Sequence, residues 1–355
     1  MATKRQHFLP RLLQRNFASR VSKDNYFCWV YPKSGDPYET NIINIAVEWY
    51  FYSQPDESDL ENQISKFEGR MSQVLEELCV VKQDTNLDAE KVAELVAHSV
   101  VRTRHVRETF QNTGQSFMTM QENMLDSPAD LKDMLLHYIR ENPEEFRQSL
   151  RDEIKKKSGP SVDSAIVEQM IDALLPHAGQ LIDQNLDQSH AQLQSMLGTV
   201  KEKMPDHART GHIGGLNKEL APEPRVKRLM EFSWRVTYWP DGGLILGDLG
   251  PWGIGNDPKA CFSLLWGRDD LSTIYFPISS AHLLTGTKET YQKPETIDPI
   301  NRSSAELSDK HFIAGERTDT LIAYQDLIGS NSTVIIDEQL KEMEPGLRKD
   351  ILGRP

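Results

Sequence analysis

The apolar residues of this chain change their spacing along its length, and that change constrains the fold more than any motif does. Between residues 57 and 204 they recur every three or four positions. Leu60, Ile64, Phe67, Met71, Val74, Leu75 and Leu78 form one stripe, and Glu57, Glu61, Glu68 and Arg70 fall mainly off it. That spacing belongs to an amphipathic helix of several turns. After residue 225 the apolar residues instead come in short runs, at 232–239, 244–246, 262–266 and 274–278, separated by turn formers such as Pro240-Asp241-Gly242-Gly243. Short runs between turns are the pattern of antiparallel strands. Helices and strands that are segregated along a chain favour an α+β fold over a wound parallel sheet. The expectation is therefore an α+β protein, predominantly helical, with a small, mostly antiparallel sheet drawn from the N-terminal and C-terminal segments. It is read as a single long domain, 1–355, with sub-regions 1–56 (N-terminal helix and strands), 57–204 (helical block) and 225–355 (β-rich C-terminal segment).

Local signals divide the helical block. Asp88 and Ser127-Pro128 suit helix starts, because a short polar side chain caps free N–H groups and proline is pre-set for the first turn. Asn142-Pro143 opens a further helix by the same logic. The helix beginning near 88 is expected to run on toward Phe110. The run Lys155-Lys156-Lys157-Ser158-Gly159-Pro160 reads as a polar hinge, and 162–204 as helical with a break at Pro176. Gly211, Gly214, Gly215, Pro222 and Pro224 read as a linker or surface loop. The aromatic run 26–31 reads as a strand, and 42–52 as a returning strand or a short helix. Ser279 reads as a helix cap. From Asn301 onward the chain looks helical again, with 332–336 as a last strand.

The N-terminal residues carry a second signal. The first 23 hold six Lys or Arg and no acid, in a chain of net charge −13. Leu9, Leu12, Leu13 and Phe17 share one face of a helix that Pro10 can start. This face needs burial, so the segment is expected to be docked and not a free basic tail. It lacks the apolar core of a secretory signal. No apolar run approaches the length of a membrane span. Three cysteines, Cys28, Cys79 and Cys261, are far apart and odd in number. That suggests a reducing compartment, hence the cytoplasm, and no cysteine-based zinc site. The acidic balance disfavours general nucleic-acid binding by the whole surface, while a local basic patch could hold a phosphate.

Common catalytic motifs are missing. There is no phosphate-binding Gly-x-x-x-x-Gly-Lys-Ser/Thr loop, no Gly-x-Ser-x-Gly elbow and no His-Glu-x-x-His helix. Four smaller features could carry chemistry. His7, just before the helix start, either bonds a backbone group or serves as a base or ligand kept neutral by the helix dipole. His98, Arg102 and His105 fall on one helical stripe, with Arg104 and Arg107 beside them. They either hold an anion or decorate a solvated face. Asp248, in Gly247-Asp248-Leu249-Gly250-Pro251, either closes an Asx-turn or supplies a carboxylate at a strand end. The segment 276–284 reads as structural.

These pieces together resemble an uncharacterised, mainly bacterial domain-of-unknown-function family, numbered forty-two thirty-eight. His7-x-x-Pro10-x-x-Leu13-x-x-x-Phe17-Ala18 resembles its opening signature. Trp29-Val30-Tyr31 looks like its short strand. Trp49-Tyr50-Phe51-Tyr52, followed by Leu60-Glu61 and Phe67-Glu68, resembles its aromatic-to-helix segment. Val101-Arg102-Thr103 resembles its Leu-Arg-Thr-Pro stretch, with Arg104 in place of the proline. Leu246-Gly247-Asp248 with Pro251 resembles its Ser-Asp-x-Pro turn, with one more residue between Asp and Pro. Phe276-Pro277-Ile278-Ser279 and Ile300-Asn301 resemble its later marks. The resemblance implies one long domain whose N- and C-terminal thirds meet around the helical middle. It implies no activity.

Two functions of different class follow as expectations. The first is a hydrolase, nuclease-like chemistry included, acting on a phosphate-containing or nucleic-acid substrate. His7 and Asp248 would be catalytic and Arg102, Arg107 and Asn301 would bind, with a divalent metal as a candidate cofactor. The second is a non-enzymatic binding or regulatory protein whose helical block holds a partner. The expected partners are nucleic acid or a phosphorylated ligand at a local basic patch, or a protein, and not a membrane.

Overall fold

The structure, a computed structural model, describes residues 5–53, 59–159, 163–257, 260–265, 267–290, 292–331 and 334–353, the last of these segments with side chains from 340 onward. The fold is α+β and predominantly helical, with every strand pairing antiparallel. The chain divides into two compact units: Met1–Phe110 with Asp206–Val334, and Gln111–Pro205 with Ile335–Pro355. No helix among the described residues is long and apolar enough to cross a membrane.

Among the described residues, all the strands lie in the first unit. One expected small sheet is in fact three sheets. The largest has six strands in the order Cys261–Ser263, Trp252–Ile254, Thr273–Ser279, His282–Thr287, Ser233–Tyr238 and Thr85–Leu87. The last of these strands comes from inside the helical block, between the helices Asp59–Cys79 and Ala89–Val101 that pack on this sheet. A second sheet orders Arg20–Ser22, Asn25–Pro32, His311–Ala314 and Leu246–Gly247, with Tyr38–Asn41 also on Asn25–Pro32. The N- and C-terminal thirds thus meet in one ladder, Val30 opposite Ile313. Tyr31 and Phe312 stack 4.7 Å apart in a core with Ile245, Ala305, Leu321 and Ile328. The third sheet pairs Arg5–His7 with Val47–Trp49.

The N-terminal segment is docked. Leu9, Leu13 and Phe17 are fully buried, and Leu12 is half-buried. Pro10 caps a single turn, Arg11–Gln14, which continues as the 3-10 turn Arg15–Phe17. Asn16 Nδ2 donates to the Ile278 carbonyl at 3.0 Å, and the Asn16 carbonyl accepts from Ser280 N at 3.1 Å. Hydrogen bonds to the chain at 278–280 therefore anchor this segment alongside its apolar face.

The second unit is helical. Ser127 caps Pro128–Glu141 in a reciprocal capping box with Asp130, two otherwise free N–H groups being satisfied at once. Pro143–Ser158, Ser164–Leu174 and Leu186–Glu202 follow, with a 3-10 turn across Pro176 at Leu175–His177.

Several sequence expectations are corrected. The helix starting after Asp88 stops at Val101 and a new one starts at Arg104, so it does not run through to Phe110. Lys155–Lys157 belong to a helix that ends at Gly159, whose φ of 87° stops it; Pro160 lies outside the described residues. Gly211, Gly214 and Gly215 lie inside the helix Met204–Lys218, and Glu223–Leu229 is helical too. The glycines occupy its open side, while Ala208, His212 and Leu216 keep a buried stripe at intervals of four. The stripe outweighs the low helix propensity of glycine. Ser279 caps no helix. Its hydroxyl shares a 2.7 Å hydrogen bond with His282 Nδ1 across a tight turn, and 282–287 is a strand. The helix from Asp298 ends at Leu307, and the strand His311–Ala314 follows. Residues 334–336, read as strand, begin the helix Val334–Leu352; 332–333 lie outside the described residues.

Candidate functional site

His7 ends the strand Arg5–His7, three residues before the N-cap at Pro10, so the helix dipole has no direct hold on it. Its Nδ1–H donates to the Ile45 carbonyl at 3.0 Å. A carbonyl only accepts, so the proton resides on Nδ1. Burial pushes the imidazole down to about 4, helped by Arg11, Arg102 and Arg5 and opposed by the Ile45 hydrogen bond. His7 is therefore neutral near pH 7, through desolvation and not through the helix dipole.

Arg102 lies beside it. It is 5% exposed and follows the last turn of Ala89–Val101. Its guanidinium donates to the His7 carbonyl at 2.7 Å and to Tyr52 Oη at 3.0 Å, and it pairs with Glu68. Tyr52 in turn donates to the Arg102 carbonyl at 2.9 Å. Arg107 donates to the Phe51 carbonyl at 2.7 Å and lies over the Phe51 ring. Asn301 accepts from Ile245 N at 3.1 Å and donates to the Gly243 carbonyl at 2.8 Å, holding the chain entering the strand Leu246–Gly247. Arg107 and Asn301 direct these bonds at the protein's own backbone, and Arg102 divides its own between the backbone and the Tyr52 and Glu68 side chains. An arginine buried in this way needs such partners, since an unpaired buried charge is costly.

His98, Arg102 and His105 do not form one stripe, because the helix break at 102–103 turns His105 away. His98 Nδ1 donates to the Leu220 carbonyl at 2.8 Å, and its ring lies 4.4 Å from that of Phe67. Burial lowers its imidazole to about 4. His105 Nδ1 instead pairs with Asp309 at 2.8 Å.

Asp248 is 4% exposed. Its carboxylate accepts three successive backbone N–H groups, from Asp309 at 2.8 Å, Lys310 at 2.8 Å and His311 at 3.1 Å. It closes no Asx-turn of its own; it clamps the chain entering His311–Ala314. Oδ2 also lies 3.5 Å from His311 Nδ1. Burial raises the Asp248 carboxyl above its ordinary value and lowers the His311 imidazole below its own. The three N–H donors and the imidazole favour the carboxylate against that burial. His311 Nε2 is buried with no hydrogen-bond partner among the described residues. Asp309 joins this pair to His105, so two Asp–His pairs stand side by side.

A cavity of about 210 Å³ opens next to them, its wall including Phe8, Ile45, Ala46, Arg104, Lys310 and His311. His7 and Asp248 border it one residue back: His7 bonds Ile45 and Asp248 pairs with His311. Ala46, at φ 50°, is held in the left-handed region, where a non-glycine residue is strained. Arg104 pairs with Glu48 and Glu108 at 2.8 and 2.7 Å, and Lys310 lies 3.7 Å from Glu108. Both cations are part-exposed, so solvent screens these pairs and an entering anion can compete with the carboxylates. Among the described residues, no group of three His, Cys, Asp or Glu side chains is placed to hold a metal ion.

Sequence reasoning missed His311, Arg104 as a wall residue, and Lys310. The signal for His311 was Phe312-Ile313-Ala314, a short apolar run between Ser308-Asp309 and Gly315, which reads as a strand once the helix is stopped at Leu307. Nothing in the sequence pairs Asp248 with His311.

A family model described as "Protein of unknown function (DUF4238)" matches residues 5–315. The match covers most of the chain, and the chain belongs to this family. No curated protein and no solved structure matches it.

Proposed function

We propose that the protein is a hydrolase of small phosphate-containing substrates, working in the cavity beside the Asp248–His311 pair. The observation that carries this reading is an imidazole with an unpartnered nitrogen, 3.5 Å from a clamped carboxylate, in a wall that also bears two cations. With Nδ1–H toward Asp248, Nε2 keeps its lone pair and serves as a general base for an attacking water. Arg104 and Lys310 hold the anionic substrate. Asp248 positions and does not itself transfer the proton. His7 and Arg102 build the opposite wall by fixing Ile45 and the strand that precedes Phe8. At about 210 Å³ the cavity is smaller than the roughly 300–1,000 Å³ usual for drug-sized ligands. A phosphoryl group with a small ester fits this size, and a nucleic-acid strand fits only by its end.

The test uses purified full-length protein with p-nitrophenyl phosphate and bis-p-nitrophenyl phosphate, with and without Mg²⁺ or Mn²⁺. Wild type turns over one ester. His311→Gln loses about 10²-fold or more in rate at an unchanged melting temperature. Absence of turnover in wild type, or full activity in His311→Gln, overturns the reading.

A second reading is a protein that binds a phosphorylated ligand without turning it over. The engagement of Arg102, Arg107 and Asn301 with backbone carbonyls favours it, since these groups then only shape the fold. Calorimetry with inorganic phosphate separates the two. Binding that Arg104→Ala abolishes, without turnover of any ester, selects this second reading.

A further inference from the structure

A different cavity, of about 370 Å³, lies over the six-stranded sheet. Its floor is a patch of hydroxyl side chains that the register brings together. Thr273 pairs with Thr287 and Tyr275 with Thr285 between the neighbouring strands Thr273–Ser279 and His282–Thr287. Because side chains alternate across a strand, these four share one face of the sheet. The opposite face carries Ile274, Phe276 and Leu284, all fully buried. Ser272 and Asn256 complete the floor.

The hydrogen bonds within this patch leave specific atoms free. Ser272 donates to the Ile254 and Gly255 carbonyls at 3.2 and 3.0 Å, which occupies its proton and leaves its lone pairs. Thr287 donates to the Glu289 carbonyl and accepts from Glu289 N, and so holds the rim of the cavity. Thr285 is 1% exposed, and its hydroxyl has no partner among the described residues. A buried hydroxyl without a partner is costly, and such groups are rare in folded proteins. A hydroxyl in that state, in the floor of a cavity of ligand-binding size, points to a ligand group that bonds it.

The lining decides the class of ligand. Among the described residues it contains no Lys, Arg or His, so an anion finds no counter-charge there. Its ionisable groups are Glu289 and the Tyr275 phenol, and the other polar groups are hydroxyls, amides and backbone. Hydroxyls and amides donate and accept at once, matching a ligand whose own groups do both. The Tyr275 ring, 4.8 Å from that of Trp252, adds a small apolar plane. We propose that this cavity binds a neutral polyhydroxylated ligand of monosaccharide size, with the Thr285 hydroxyl bonding one sugar hydroxyl. The site does not depend on the cavity at His311 and stands or falls apart from it.

The probes are glucose, galactose, mannose, N-acetylglucosamine and ribose, each added at millimolar concentration to the full-length protein. Saturation-transfer NMR detects binding, and calorimetry measures it. These readouts avoid the general stabilisation that any sugar gives as an excluded solute. One of the five binds wild type. Thr285→Val, which replaces the free hydroxyl by a methyl of similar shape, weakens that binding at least about tenfold. It also melts at or above the wild-type temperature, because no internal hydrogen bond is lost. Gln292→Ala, on the exposed rim, weakens binding without altering the fold. Failure of all five sugars to bind wild type overturns the proposal, as does wild-type affinity in Thr285→Val.

Discussion

The two units of this protein bury their chains in different ways. In the unit built from Met1–Phe110 and Asp206–Val334, side chains distant in sequence are packed to full burial on both sides of antiparallel ladders: Phe17, Tyr31, Phe51, Phe276 and Phe312 are all inaccessible. In the unit of Gln111–Pro205 and Ile335–Pro355, neighbouring helices meet along narrow stripes. Met124, Leu131, Val167 and Ile171 are buried there, while Pro143–Ser158 and Leu186–Glu202 bury no residue fully. This second unit also encloses an apolar space of about 430 Å³ between Leu135, Ile139, Phe146, Leu150, Leu174 and Ile182. Helices complete their backbone hydrogen bonds locally and can persist with modest side-chain burial; strands cannot, because their backbone partners come from elsewhere in the chain. The difference predicts which unit tolerates change.

The largest expected effect lies in the sheet-bearing unit. Leu13→Ala combined with Phe17→Ala costs about 5–9 kcal/mol, measured by chemical denaturation, because both side chains are fully buried. A double variant as stable as wild type would mean that the N-terminal segment is not part of this core. In the helical unit, Leu150→Ala opens onto the existing apolar space and costs less, about 1–2 kcal/mol, below the usual range for a closed core. Equal losses at the two places would remove the distinction between the units.

Acid sharpens the comparison next. His7, His98 and His212 are all in the first unit, and burial lowers each imidazole to about 4. In the unfolded chain they titrate near 6.5. Between those values the unfolded state binds the extra protons. The stability these groups allow is therefore complete above about pH 6.5 and is lost as pH falls toward 4. A shift of this size corresponds to about 3 kcal/mol for one buried histidine. His98→Gln should reduce the difference in unfolding free energy between pH 7 and pH 4.5 by up to about that amount. An unchanged pH dependence in that variant would mean that His98 is not held neutral by burial.

Smaller effects belong to the helical unit. Ser127→Ala removes a capping box and costs about 1 kcal/mol. Arg151→Ala breaks a part-exposed pair with Glu168 and costs less than that, with the loss shrinking in high salt. A loss from Arg151→Ala that exceeds that from Ser127→Ala would contradict the view that local backbone capping outweighs surface charge here.

The helical block was legible because its information is local. The stripe from Leu60 to Leu78 and the helix starts at Asp88 and Ser127 each depend on residues a few positions apart, and each stands where the sequence placed it. The strand at 26–31 was legible for the same reason. The strand His282–Thr287 was not, because Ser279 in a tight turn looks like Ser279 at a helix start. The helix Met204–Lys218 was hidden under its glycines, whose weak propensity the stripe of Ala208, His212 and Leu216 overcomes.

The sites divide along the same line. Asp248 could be singled out as a carboxylate at a strand end, but its partners, three backbone N–H groups and His311, lie more than sixty residues away. Arg102 could be read as a charge in apolar surroundings, but only the fold brings the His7 carbonyl, Tyr52 and Glu68 to it. From the sequence alone came the class of fold, the docking of the N-terminal segment around Leu9, Leu13 and Phe17, and the identity of most helices, because hydrophobic period and capping chemistry act within a few residues. Tertiary structure alone decided which ladders form, which histidine meets Asp248, and which hydroxyls gather on one face of a sheet. Those outcomes rest on strand register and on burial, and both are properties of contacts between segments far apart in the chain.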